Sequence, residues 1–201
     1  VMDVFRKRSD AAPKLRRLLT ASIETPLLGG PNLWCPHSHL LNAEAWSERR
    51  ALGEQLWWYL CTEPKAPYAT LFIDHPGIEM RTWLWQSWQR MVQGVLIWQT
   101  NYWTSTTAYP DALQNPYVDP MSWMTGYGVL EGTKTAWGNG DGRLIYPPEI
   151  AQDGTQPGFI LDSPVTSMRM EMLRDGLEDY EYFVILKNLI EEKKDRLSEK
   201  E

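Results

Sequence analysis

Four short stretches of this sequence carry side chains suited to chemistry. In the first, Cys35-Pro36-His37-Ser38-His39, the residues Cys35, His37 and His39 alternate, which on a strand turns them to one face. Cysteine and histidine are zinc ligands. No fourth ligand is spaced to join them and Pro36 interrupts the run, so no metal is expected. His37 reads instead as a substrate contact or a loop histidine near a strand end. The second, Gly138–Gly142 (GNGDG), looks like a phosphate or calcium loop but lacks the Lys-Ser/Thr of the one and the acidic spacing of the other. It reads as a tight turn from which Asp141 reaches a ligand. The third, Gln99-Thr100-Asn101-Tyr102-Trp103, follows a buried apolar run, and Trp98, Asn101 and Trp103 offer stacking faces and an amide. The fourth, Arg174–Tyr182, packs Asp175, Glu178, Asp179 and Glu181 together. Paired carboxylates suit acid–base work, yet their helical spacing, with Arg169 and Arg174 near, reads as a salt-bridge cluster. Asp74 and Arg81 are expected to pair across a helix start. No Ser/His/Asp or Cys/His triad is present in the pattern.

Composition narrows the ligand. Eleven Trp and nine Tyr stand against four Phe in 201 residues. Trp and Tyr combine a flat apolar face with a polar handle. That suits amphipathic ligands such as sugars, nucleobases or aromatic compounds, although many of the Trp must fill the core. The net charge of −6 excludes a basic footprint for nucleic acid and disfavours an anionic membrane surface. No apolar run approaches the length of a membrane span. The chain opens on Val1 without a signal peptide, which leaves the compartment undetermined. Two cysteines, Cys35 and Cys61, make no disulfide framework and read as buried thiols.

The elements that must position these groups follow from periodicity. Residues 2–9 read as a short basic helix. Arg17–Ile23 and Asn32–Pro36 read as strands, Asn42–Gly53 as a helix with a Gly stop, and Gln55–Cys61 (the run LWWYLC with its leading Gln) as a buried strand. Ile78–Gln93 has apolar residues at helical spacing, and Gly94–Gln99 is a further buried strand. A loop rich in Gly, Pro, Tyr and Trp then runs to 164, with a short strand at Arg143–Tyr146. Val165–Glu192 reads as a long helix, and 191–201 as a charged helical tail. Strands alternating with helices, with continuous apolar strands, argue parallel pairing. About four strand–helix units are present, too few for a complete eight-unit barrel, and no Gly-rich phosphate turn follows the first strand. The fold class is therefore α/β, with four units of a (β/α)8 barrel fitting the length.

In order, the motifs LWCP, GEQLWWYLC, FIDHPGIEMRTWLW, GVLIWQTNYW, GDGRLIYP and SMRMEMLRDGLEDYEY resemble the C-terminal half of the catalytic domain of glycoside hydrolase family 123. The resemblance runs over roughly residues 15–190. It implies a single domain over 1–201, a partial (β/α)8 TIM barrel with strands five to eight, their helices, and a long loop before the last helix. It implies a retaining β-N-acetylgalactosaminidase in which the substrate's own acetamido oxygen attacks the anomeric carbon. An adjacent Asp-Glu pair at the end of the fourth strand then orients that group and supplies the acid/base. No Asp-Glu dipeptide occurs in these 201 residues. The expectation is that the pair lies upstream of Val1, and that this chain supplies a substrate-binding wall without it. Tyr59 is expected to bond the acetamido group, with Trp34, Trp58, Trp98 and Trp103 as the aromatic pocket and Asn101 on hydroxyls. His37 and Asp141 complete the expected substrate contacts. The partner is a glycan containing N-acetylgalactosaminide, with no cofactor, nucleic acid or membrane. Open barrel edges are expected to drive self-association. The alternatives are a non-catalytic carbohydrate-binding module, or a purely structural protein whose Trp residues are all core.

Overall fold

Four apolar segments lie side by side in the order in which they occur in the chain. The computed structural model describes residues 1–103, 115–118, 124, 125, 130, 131, 133, 135, 136, 138–148 and 162–194. Within it, β1 (Leu18–Leu19), β2 (Leu33–Trp34), β3 (Gln55–Leu60) and β4 (Gly94–Ile97) form one all-parallel sheet, ordered β1-β2-β3-β4. Parallel neighbours need crossovers. Helix α2 (Ala43–Ala51) joins β2 to β3, and α3 (Ile78–Gln89) joins β3 to β4. Helix α1 (Met2–Ala11) precedes the sheet and α4 (Met168–Glu192) follows it. Between β4 and α4 the chain makes two small antiparallel pairs. These are β5 (Met124–Thr125) with β6 (Thr135–Ala136), and β7 (Ile145–Tyr146) with β8 (Val165–Thr166).

The register decides which face each side chain takes. Trp34 lies opposite Leu56, and Trp58 opposite Val95. Burial alternates strictly along β3: Leu56, Trp58 and Leu60 are buried, while Gln55, Trp57 and Tyr59 on the other face are half-buried. The buried set packs with Trp34 against Trp46 of α2, Met80, Trp83 and Leu84 of α3, and Leu173 of α4. Each such side chain contributes about 1.5–3 kcal/mol by leaving water. Two indoles keep their N–H groups satisfied inside this core. Trp58 Nε1 donates to Ser87 Oγ at 2.9 Å and Trp34 Nε1 to Glu54 Oε2 at 2.6 Å.

Helices α2 and α4 start at capping side chains. Asn42 Oδ1 accepts from the backbone N–H of Ala45 at 3.0 Å, and Ser167 Oγ from that of Met170 at 3.2 Å. Helix α4 lies close on α3 because Gly176 has no side chain; a Cβ there would meet the Arg81 backbone and Leu84 at 3.1 Å. Asp179 then ties the two helices. It accepts from Arg81 Nε, from Arg81 Nη2 at 2.7 Å and from Trp85 Nε1 at 2.7 Å. These bonds, those from Arg81 first, hold its carboxyl down at about 2.

Several sequence expectations change. The strands are shorter: Arg17–Ile23 contracts to a two-residue ladder and Asn32–Pro36 to another. The helix expected over Ile78–Gln93 stops at Gln89, where the chain turns through Met91 at φ 57°. The long helix begins at Met168, because Val165 and Thr166 are β-branched or extended and pair with Tyr146 and Ile145. Arg81 pairs with Asp179 and not with Asp74, whose carboxylate takes the Asn139 backbone N–H at 3.2 Å and its side-chain amide. The acidic cluster of α4 gathers on Arg174, which reaches Glu171, Asp175 and Glu178 at 2.6, 3.4 and 3.5 Å. Arg169 takes no part in it. Cys35 and Cys61 are both free thiols. Of the charged tail, 195–201 lie outside the described residues. No helix among the described residues is long and apolar enough to cross a membrane.

Candidate functional site

The C-terminal ends of the parallel strands collect the polar and aromatic groups that the core does not use. That end of a parallel α/β sheet is where ligands bind, because the loops there are free to vary on a rigid support. Two clusters form, one after β2 and β3, the other after β4.

In the first, the ladder runs on past β2, so that His37 pairs with Tyr59. The shared register puts both on the face away from the helices, with ring centroids 4.2 Å apart. His37 Nδ1 lies 3.3 Å from the Glu63 carbonyl, which only accepts, so the proton sits on Nδ1. Nε2 is then the open lone pair and faces Cys61 Sγ at 3.9 Å. Burial lowers the His37 pKa, so the ring is neutral near pH 7. His39 packs edge-on to His37 at 5.5 Å and lies 3.9 Å from the Glu63 carboxylate.

The second cluster is built on the turn 138–143. Arg169 reaches in from the first turn of α4 and is almost wholly buried. Its guanidinium donates to the carbonyls of Leu71 and Gly140 at 2.7 Å each, and to that of Arg143. Gly140, at φ +75°, is required here: a Cβ would fall 2.6 Å from the guanidinium. Arg143, also buried, donates to the carbonyls of Tyr102 and Trp103 at 3.0 and 3.2 Å. The turn is thereby joined on one side to α4 and on the other to the segment after β4. At its centre Asp141 has no exposed surface. Its Oδ1 accepts from Trp98 Nε1 at 3.0 Å, while Oδ2 has no hydrogen-bond partner. Burial pushes the carboxyl up to about 6, opposed by the Trp98 and Gly142 bonds and by Arg169.

The sequence-derived candidates separate into three groups. His37 and Tyr59 come together at one strand end, and Trp98, Asn101 and Trp103 at the next. Trp98 stands against Tyr102, ring centroids 5.2 Å apart. Trp103 Nε1 donates to the Ile145 carbonyl at 2.8 Å, and exposed Asn101 bridges to Arg143. Trp34 and Trp58 are 0% and 2% exposed and point to the helix layer, so neither presents a ring face here. Asp141 touches Trp98 and is itself shut away from solvent. Trp57, Tyr102 and Arg143 carry roles that the sequence pattern does not signal, and Arg169, expected in the acidic cluster of α4, binds backbone carbonyls instead. Parity along β3 puts Trp57, not Trp58, on the face of Tyr59.

Cys35 is fully buried, and burial pushes its thiol up to about 12, which keeps it protonated and unreactive as a nucleophile. Among the described residues no three His, Cys, Asp or Glu side chains gather as a metal site. A cavity of about 470 Å³ lies behind the turn, against Ile73, His75, Tyr117, Tyr146, Met168 and Arg169. His37, Tyr59 and Trp98 do not line it; it meets the second cluster through Arg169.

Comparison with known proteins bears on what this arrangement is for. No curated protein matches the sequence. A family 123 glycoside hydrolase from Clostridium perfringens, solved in a study of glycolipid glycan hydrolysis, superposes on this chain with a TM-score of 0.62 at 18% identity. The match covers 98% of this chain and 31% of that one, so this chain spans about a third of that protein's length. The family model for the catalytic domain of glycoside hydrolase 123 matches residues 32–186, from the start of β2 to the middle of α4. The chain therefore belongs to the glycoside hydrolase 123 catalytic-domain family.

Proposed function

We propose that this chain is the sugar-holding half of a (β/α)8 glycosidase barrel, with β1 to β4 as its fifth to eighth strands. The observation that carries the reading is the sheet itself. Four parallel strands run in chain order, β2 to β4 within the family match and β1 just before it, and aromatic and hydrogen-bonding groups stand at their C-terminal ends. The substrate class is a glycan ending in a β-linked N-acetylgalactosamine; that the Clostridium relative was solved in a study of glycolipid glycan hydrolysis supports a glycan substrate. In this reading Trp98 and Trp103 present apolar ring faces to the sugar's C–H face. Tyr59, oriented by His37, bonds the acetamido group, and Asn101 bonds a hydroxyl. The reaction is retaining and substrate-assisted, the acetamido oxygen attacking the anomeric carbon. Its Asp-Glu pair has no counterpart in this sequence. The open edges of β1 and β4 make self-association the state expected in solution, read by light scattering.

Absence of an Asp-Glu dipeptide favours a second reading, a carbohydrate-binding module that holds the glycan without cleaving it. One experiment addresses both. The chain is titrated with methyl β-N-acetylgalactosaminide and assayed on a chromogenic β-N-acetylgalactosaminide, with the β-glucoside and β-N-acetylglucosaminide beside it. The proposal expects binding of the first sugar without turnover. Turnover would mean that carboxylates within these 201 residues do the acid–base work. No binding would overturn the sugar-holding role.

A further inference from the structure

We propose that Asp141 is a positioning residue, whose buried carboxyl fixes the Trp98 indole at the C-terminal end of β4 so that its ring faces the sugar. The sugar is that of the proposed function above, and to that extent the inference rests on it. The link itself rests on geometry. Trp98 lies one residue past β4, its ring against Tyr102 and close over Gly142. Asp141 Oδ1 fixes the direction of its N–H, accepting at 3.0 Å from Nε1. The turn carrying Asp141 is in turn held at both ends. Arg169 binds the carbonyls of Gly140 and Arg143, and Arg143 binds those of Tyr102 and Trp103. These bonds hold the backbone on both sides of Asp141, so the turn cannot shift without breaking them, and its place sets where the carboxyl meets the indole N–H.

A neutral acceptor would do the same without the cost of burying a charge, and Oδ2 has no donor to offset that cost. Charged groups reach Asp141 from few directions. From α4 comes Arg169, which favours the carboxylate. Arg143, on the turn itself, is committed to carbonyls. Asp74, before α3, is committed to Asn139. Burial outweighs Arg169 and sets the carboxyl to change charge at about pH 6. The Trp98 indole thus sits on an acceptor that is neutral on the acidic side and anionic on the basic side.

The test follows the Trp98 indole N–H directly in 15N–1H spectra of the intact chain, its resonance assigned by Trp98→Phe. In the parent chain the resonance should move with pH about a midpoint near 6. In Asp141→Asn, which retains an acceptor oxygen and cannot titrate, it should stand still at a similar position. Methyl β-N-acetylgalactosaminide affinity should fall about tenfold in Asp141→Ala and recover in Asp141→Asn, as for one lost buried hydrogen bond. A Trp98 resonance indifferent to pH, or one moving equally in Asp141→Asn, would overturn the inference. If neither chain binds the sugar, the proposed function fails while the resonance still decides whether Asp141 holds Trp98.

Discussion

Asp141 and Asp179 are both carboxylates that accept from a tryptophan indole, and they are held in opposite ways. Asp179, between α3 and α4, receives two guanidinium bonds and one indole bond and is held at about 2. Asp141, under the strand ends, has one indole and one backbone bond, an empty second oxygen and full burial, and rises to about 6. Arg169, the cation that favours the charged form of Asp141, spends its donors on carbonyls instead. The difference lies in how many donors each oxygen receives, and it separates a tie between helices from a group tuned near neutrality.

The largest way to break this contrast is to remove the cage around Asp141. Arg169→Met fits the same space but leaves the carbonyls of Leu71, Gly140 and Arg143 without their donor. Unfolding in urea should show a loss of roughly 3 kcal/mol or more. Next comes the pH slope at Asp141. Its folded pKa is raised, so its stabilising effect is full below the unfolded value of 3.8 and is lost as pH rises through about 6. Asp141→Asn has no such loss. The stability of the variant relative to the parent should rise by up to about 3 kcal/mol over that interval. A constant difference would mean that Asp141 does not titrate there. Asp179 carries the opposite sign. Its contribution is present above 3.8 and disappears as pH falls toward about 2. Asp179→Asn should therefore flatten the acid limb of the melting-temperature curve and leave the limb near pH 6 unchanged. The smallest effect belongs to Arg174, an exposed hub on α4. Arg174→Ala should cost no more than about 0.5 kcal/mol, and less in high salt.

The strand–helix order was legible because LWWYLC and GVLIWQ are continuous apolar runs and α2 and α3 follow helical spacing. The family resemblance rested on the same runs. What could not be read was parity. Trp57 and Trp58 are adjacent, and only the pairing of Trp58 with Val95 decides which one enters the core. Trp34 shares that fate through its pairing with Leu56. The start of α4 was legible in part: Ser167 is a cap residue after two β-branched positions, and weighing that signal separates β8 from the helix. Arg169 was assigned to the acidic cluster by nearness in sequence. Its true partners, at 71, 140 and 143, are backbone carbonyls, which leave no mark on side-chain pattern. Asp141 was found, as a residue of a glycine turn, but its burial depends on a contact with Trp98 forty-three positions away.

In the proposed function the sugar is held at the strand ends and not at the exposed indole of Trp85. The most direct measurement is calorimetric titration of methyl β-N-acetylgalactosaminide into the parent chain, Trp98→Ala and Trp85→Ala, the last an exposed indole on α3 outside the site. The expected result is binding by the parent and by Trp85→Ala, with Trp98→Ala weakened about tenfold or more. Equal binding by all three, or loss in Trp85→Ala alone, would contradict it.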